Sequence, residues 1–290
     1  MGIPASPNAA GGAARSVLKQ RVLTAVVLVS LLLACLFLLP NIFWALLMCG
    51  AAALAAQEWS RLAGYRRSGT WLFIAVVTAT CLGFIVLGAS APPLSTGAAK
   101  AAVLFYLLAL LFWAVAVPAW LYFKWRVSQP LVLGLAGWIV LVPAWLAIVS
   151  LQKSAGLLLA LLLTVWIADI AAYFAGHRFG RHKLAPQISP GKTWEGVIGA
   201  VVAILVYGFA MSFVLQPSPN YFDRIVTVIF FLVLTVLSIV GDLFESWIKR
   251  VAGVKDSGTL LPGHGGILDR IDSLTAALPF AALYFLPALR

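Results

Sequence analysis

Nine apolar stretches of this chain are candidates to cross a bilayer. A lone segment in hydrocarbon must satisfy every backbone N–H and C=O within itself, which leaves it the α-helix. The runs fall at 22–39, 42–57, 70–90, 101–123, 131–150, 156–175, 194–215, 224–248 and 271–289, and about twenty residues suffice for one crossing. The second run is the shortest. With 63% hydrophobic and 10% charged residues, the chain lies far from the roughly 25% charged residues of soluble domains. The expected fold class is therefore all-α: a polytopic integral membrane protein with about nine transmembrane helices. Residues 1–14, rich in Gly, Ala and Pro without apolar periodicity, read as a disordered tail. Residues 15–150 read as an N-terminal transmembrane scaffold, and 151–290 as a C-terminal part of the same membrane domain that carries the polar motifs. Cys35, Cys49 and Cys81 sit inside apolar runs and read as inert packing residues.

The net charge of +11 does not point to nucleic acid, because the Lys and Arg sit in short loops between apolar runs and not on one soluble face. It sets orientation instead. With the N-terminus cytoplasmic, the outer segments keep only Lys100, Lys153, Arg224 and Arg290 of the twenty Lys and Arg, the asymmetry that places basic loops inside. The C-terminus is then outside, and the protein is expected in the cytoplasmic (inner) membrane.

The nine acids obey a pattern that the positive-inside tendency does not explain. Only Asp223 falls outside; Glu58, Asp169, Glu195, Asp242, Glu245, Asp256, Asp269 and Asp272 lie at or just within the inner face. Carboxylates this close to hydrocarbon are candidates for function. In "WIADIAAYFAG", Trp166, Asp169, Tyr173 and Gly176 share one helix face, which a snorkelling anchor would also explain. In "SPGKTWEG", Ser189, Gly191 and Lys192 precede a new helix, so backbone N–H groups and an ammonium would meet an anion at a helix start. An ordinary basic loop is the plainer account. In "VGDLFESWIKR", Asp242, Glu245 or Ser246, and Lys249 recur along one face, as in a salt-bridge ladder.

The stretch "GTLLPGHGGILDRIDS", Gly258 to Ser273, asks most. Pro262-Gly263 makes a turn that exposes His264, Gly265-Gly266 lets backbone approach a ligand closely, and Ser257 is expected to be open to the cytosol. Asp269 and Asp272 then stand three apart at the start of the last helix, so both face the same way. Two like charges there need something positive. Mg²⁺, which takes one or two carboxylates and completes its shell with water and substrate phosphates, answers better than Arg270, with Asp242 as a third carboxylate. Pairing of the acids with Lys249, Arg250 and Lys255 is the alternative. The combination suits a phosphate-bearing substrate at the cytoplasmic surface.

"SWIKRVAGVKDSGTLLPGHGGILDRID", Ser246 to Asp272, resembles the signature of the phosphatidate cytidylyltransferase family, also called CDP-diacylglycerol or CDP-diglyceride synthases. Ser246, Lys249, Arg250, Lys255, Asp256, His264, Gly265, Gly266, Asp269, Arg270 and Asp272 occupy every fixed position, and the likeness extends over roughly 160–280. The first half resembles the family only in being hydrophobic, and no functional residue is assigned there. The resemblance implies transfer of CMP from CTP to phosphatidic acid for phospholipid synthesis. It further implies a requirement for Mg²⁺, for which Asp242, Asp269 and Asp272 are the expected ligands, while Asp269, Asp272, Lys249 and Lys192 are the expected catalytic residues. Ser189, Lys192, Ser246, Lys249, Arg250, Lys255, His264, Gly265, Gly266 and Arg270 would bind substrate. A second cation and a homodimer are left open, as are the roles of Asp169, Glu195, Glu245 and Asp256. The competing readings are an ion-coupled transporter and a CTP-dependent transferase acting on another lipid phosphate.

Overall fold

The computed structural model describes residues 26–88, 97–215, 220–260 and 265–285. The expected tail at 1–14 and the Pro262-Gly263-His264 turn lie outside the described residues. Each apolar run coincides with a helix: α1 (Val26–Leu38), α2 (Asn41–Leu62), α3 (Arg67–Val86), α4 (Gly97–Leu111) continuing through a π-helical turn into α5 (Val117–Phe123), α6 (Pro130–Leu151), α7 (Ala155–Phe179), α8 (Trp194–Leu215), α9 (Tyr221–Val251) and α10 (Leu268–Phe285). Among the described residues, six stretches are long and apolar enough to cross a membrane. One of them, Pro130–Phe179, is 50 residues long, about 75 Å if straight. It is divided by a 3₁₀ turn at Gln152–Ser154. Large apolar side chains such as Leu38, Leu72, Leu131 and Val206 face outward, as they do against lipid.

The expectation of an all-α chain needs one correction. The basic segment after α7 contains an antiparallel hairpin, β1 (Lys183–Ala185) and β2 (Ser189–Thr193), paired Lys183 to Thr193 and Ala185 to Ser189. Lys192 therefore projects from a strand, and helix α8 begins only after it. The Thr193 hydroxyl accepts from the Gly196 N–H at 3.2 Å, capping the helix as an N-cap side chain does.

Small residues let the C-terminal helices approach closely, since lipid tails offer no hydrophobic incentive to associate. A Cβ at Gly196 or Gly199 would run into the α7 backbone at Ala172 and Ala171, and one at Gly241 would meet the Asp272 carbonyl. Thus α7 packs on α8, α8 on α9, and α9 on α10, while α10 also touches α4 and α6. Its Ala276, Ala277, Leu278, Ala281 and Ala282 are buried, so the last helix stands between the two halves of the chain.

The register of α9 is set by Phe244, which is ringed edge-on by Phe112, Trp113 and Trp120 at 5.4–5.6 Å, with Trp59 at 6.3 Å. Phe112 and Trp113 reach it from the π-helical turn Phe112–Ala116, next to Pro118, which lacks the N–H for an ordinary helical bond. One turn further on, the Trp125 carbonyl accepts from both Trp120 Nε1 at 2.9 Å and Trp247 Nε1 at 3.0 Å. Those contacts fix the polar residues on the neighbouring positions of α9. Cys49 and Cys81 are buried free thiols, as expected of packing residues.

Candidate active site

The polar ends of α7, α8, α9 and α10 assemble two adjoining groups of charges. The first borders a cavity of about 600 Å³ enclosed by α7, the hairpin, α8 and α9, with Asp169, Tyr173, Lys183, Ser189, Lys192 and Asp242 in its walls. There the Lys192 ammonium pairs with Asp242, and the other Asp242 oxygen accepts from the Ser246 hydroxyl at 3.2 Å. Asp169 lies within reach of both charges. Sequence spacing placed Ser189 and Lys192 beside an anion at a helix N-terminus; the structure gives them to the same cavity by way of a strand.

The hairpin is fastened elsewhere as well. Glu195 accepts from the His182 backbone N–H and approaches its ring Nδ1 at 2.7 Å. Arg250 donates from Nε to the Ile188 carbonyl at 3.3 Å and from Nη1 to the Val254 carbonyl at 3.2 Å. Arg250, expected on substrate, thus ties the hairpin turn to the end of α9.

The second group lies deeper, where α9 meets the start of α10. Lys249 Nζ sits 2.6 Å from Asp269 Oδ1 and 3.1 Å from Glu245 Oε1, with all three side chains under a tenth exposed. The other Asp269 oxygen accepts from the Ser257 N–H at 2.9 Å, the Ser257 hydroxyl at 3.0 Å and the Gly266 N–H at 2.8 Å. Gly265 adopts φ +81°, the left-handed conformation that favours glycine, and this turns the Gly266 N–H toward Asp269. Ser257 is buried, contrary to the expectation of an open loop residue, because its hydroxyl and N–H are both engaged. Lys255 and Asp256 just before it are exposed.

Asp269 and Asp272 therefore share a helix face but not a partner. Asp269 is committed to Lys249 and the loop, whereas Asp272 accepts from the Ser273 N–H at 2.7 Å and lies within the field of Asp242 across the α9–α10 crossing. Among the described residues, no three His, Cys, Asp or Glu side chains are disposed to hold an ion by themselves. Asp242 and Asp272, each in the other's field across the crossing, are of the hard carboxylate type that Mg²⁺ takes, one or two at a time, when phosphates complete its shell.

One participant comes from the half of the chain to which no functional residue was assigned. Glu58, at the end of α2 and 4% exposed, accepts from the Ile267 N–H at 3.0 Å, the Leu268 N–H at 2.9 Å and the Ser257 hydroxyl at 2.9 Å. The available signal was its place as a carboxylate at the end of an apolar run.

A model of the cytidylyltransferase family matches residues 19–287. The chain belongs to the cytidylyltransferase family. It is 41% identical over 273 residues to the phosphatidate cytidylyltransferase of Pseudomonas aeruginosa, covering 92% of this chain and 96% of that protein. The enzyme of that name from Haemophilus influenzae is 36% identical over 287 residues, covering 92% and 98%. The Bacillus subtilis protein of the same name is 48% identical over 126 residues, covering 43% of this chain and 45% of that one. In this cytidylyltransferase-family chain, the match reaches α2 as well as the signature helices, so Glu58 falls inside it.

Proposed function

We propose that this chain transfers CMP from CTP to phosphatidic acid, forming CDP-diacylglycerol and releasing pyrophosphate. The observation that carries the reading is the convergence of Lys192, Asp242, Ser246, Lys249, Asp269 and Asp272 at one end of α8, α9 and α10, beside a cavity of about 600 Å³, in a chain related along nine-tenths of its length to proteins named for that reaction.

In the reaction a phosphate oxygen of the lipid attacks the α-phosphorus of CTP. The bond from that phosphorus to the oxygen bridging to the β-phosphate breaks, and its electrons leave with pyrophosphate. The attacking oxygen is already anionic at neutral pH, so the obstacle is bringing two polyanions together in register. Lys192, reaching into the cavity from β2, exchanges Asp242 for a substrate phosphate. Lys249 holds Asp269, and through it Ser257 and Gly266, in place for the nucleotide. Asp242 and Asp272 would hold Mg²⁺, which when bound supplies charge neutralisation of the triphosphate. The open roles follow from the same contacts: Asp169 balances Lys192, Glu195 anchors the hairpin, and Glu245 shares the Lys249 ammonium.

The positive-inside asymmetry supports the N-terminus in the cytoplasm and an odd number of crossings, nine by the count of apolar runs, and with them an inner-membrane location with the site on the cytosolic face. The test is purified protein in mixed micelles with labelled CTP, Mg²⁺ and phosphatidic acid, followed as pyrophosphate release and as labelled lipid. Labelling of a different lipid phosphate in preference to phosphatidic acid would reassign the acceptor. No transfer to any lipid phosphate would overturn the reading.

A further inference from the structure

We propose that Glu58 is a positioning residue for this reaction, and that the second glycine of the signature pair is required because the Glu58 carboxylate occupies the space beside it. The inference rests on the CMP-transfer reading only for its kinetic arm. Glu58 spans a sequence separation of about two hundred residues to reach the signature loop. Its two oxygens take the N–H of Ile267, just before α10, the N–H of Leu268, the first residue of α10, and the Ser257 hydroxyl. The N–H groups of a first helical turn have no partner inside the helix, and a buried carboxylate satisfies them with charge-assisted bonds. The start of α10 is thereby fixed, and Asp269 and Asp272 lie on its first two turns.

Ser257 couples the two carboxylates, its hydroxyl lying 2.9 Å from Glu58 Oε2 and 3.0 Å from Asp269 Oδ2. The steric counterpart is at the glycines. A Cβ at Gly266 would overlap Glu58 Oε2 and Ser257 Oγ, and one at Gly258 would press on Glu58 Oε1. Gly266 is not in the left-handed region, so its backbone would accept alanine. What excludes a side chain there is the carboxylate from α2 together with the Ser257 hydroxyl bonded to it.

The test is a double-mutant cycle in the full-length protein with Glu58→Ala and Gly266→Ala, together with Glu58→Gln. Glu58→Gln keeps the volume but turns an amide donor toward backbone donors. Its kcat is expected to fall about tenfold or more, while KM for CTP stays within about twofold of wild type, because Glu58 does not itself touch substrate. Gly266→Ala is expected to cost about tenfold or more in an otherwise wild-type chain, but only about twofold further when Glu58 is already alanine, since the space is then free and Ser257 can rotate away. Thermal unfolding of the same four proteins reads the contact without reference to substrate. Non-additive midpoints in a protein that transfers no CMP would keep the contact and remove the proposed function. Wild-type kcat in Glu58→Gln, or equal costs of Gly266→Ala in both backgrounds, would overturn the inference. Should Glu58→Ala fail to accumulate, the kcat and KM of Glu58→Gln decide it.

Discussion

Replacing Lys249 with Met tests whether the deeper group of charges is a balanced unit. The ammonium lies 2.6 Å from Asp269 and 3.1 Å from Glu245, and the three side chains are 9%, 6% and 5% exposed. Water therefore screens the group little. Met keeps most of the volume, so packing changes little, but it strands two buried carboxylates. Breaking a buried pair from one side costs about 3–5 kcal/mol. At roughly 2–4 °C per kcal/mol for a chain of this order of size, the apparent midpoint should fall by about 10 °C. The assay is thermal unfolding in a fixed detergent at a fixed scan rate, with turnover measured well below the midpoint so that unfolding does not pass for lost catalysis. Adding Glu245→Gln and Asp269→Asn to Lys249→Met should recover most of the midpoint without restoring turnover. A single variant as stable as wild type, or a triple variant no more stable than the single, would refute the view that Lys249 balances these acids.

Asp272→Asn should nearly abolish CMP transfer while leaving the protein extractable and monodisperse, and turnover equal to wild type would remove Asp272 from the site. Phe244→Ala empties the centre of the aromatic ring around α9 and should cost about 3 kcal/mol or more, seen as a lowered unfolding midpoint. A cysteine at Thr259, which is exposed, is the right probe of sidedness now that Ser257 is buried. With Cys35, Cys49 and Cys81 replaced, it should react with an impermeant thiol reagent in inside-out vesicles and not from outside, more slowly with CTP and Mg²⁺ present. Labelling from the outer face would reverse the orientation.

The helices were legible because a bilayer-length apolar run leaves the backbone one solution, and the boundaries moved by only a few residues: the run at 194–215 is α8 to the residue. The signature was legible because Ser246 to Asp272 is contiguous. The hairpin was not, since strands of three and five residues interrupted by Pro190 and Gly191 show no alternation. The partition of Asp269 from Asp272 was equally hidden. Spacing places two carboxylates on one face, but whether each finds Lys249 or Asp242 depends on the crossing at Gly241, which is tertiary. Glu58 stood in view as one more inner-face acid. Its partners are about two hundred residues away, and no local pattern joins them.

The hairpin bearing Lys192 is held by three fasteners of unequal kind. Two of them, Glu195 to His182 and Arg250 to the Ile188 carbonyl, grip main-chain atoms. The third, Lys192 to Asp242, joins two side chains in the cavity wall. Under the proposed function, an arriving phosphate competes only with the third. Loading and unloading the cavity therefore asks one lysine to swing between two anions while the strap beneath it stays buckled, so the entropy of ordering that loop is met once, at folding, and not at every turnover.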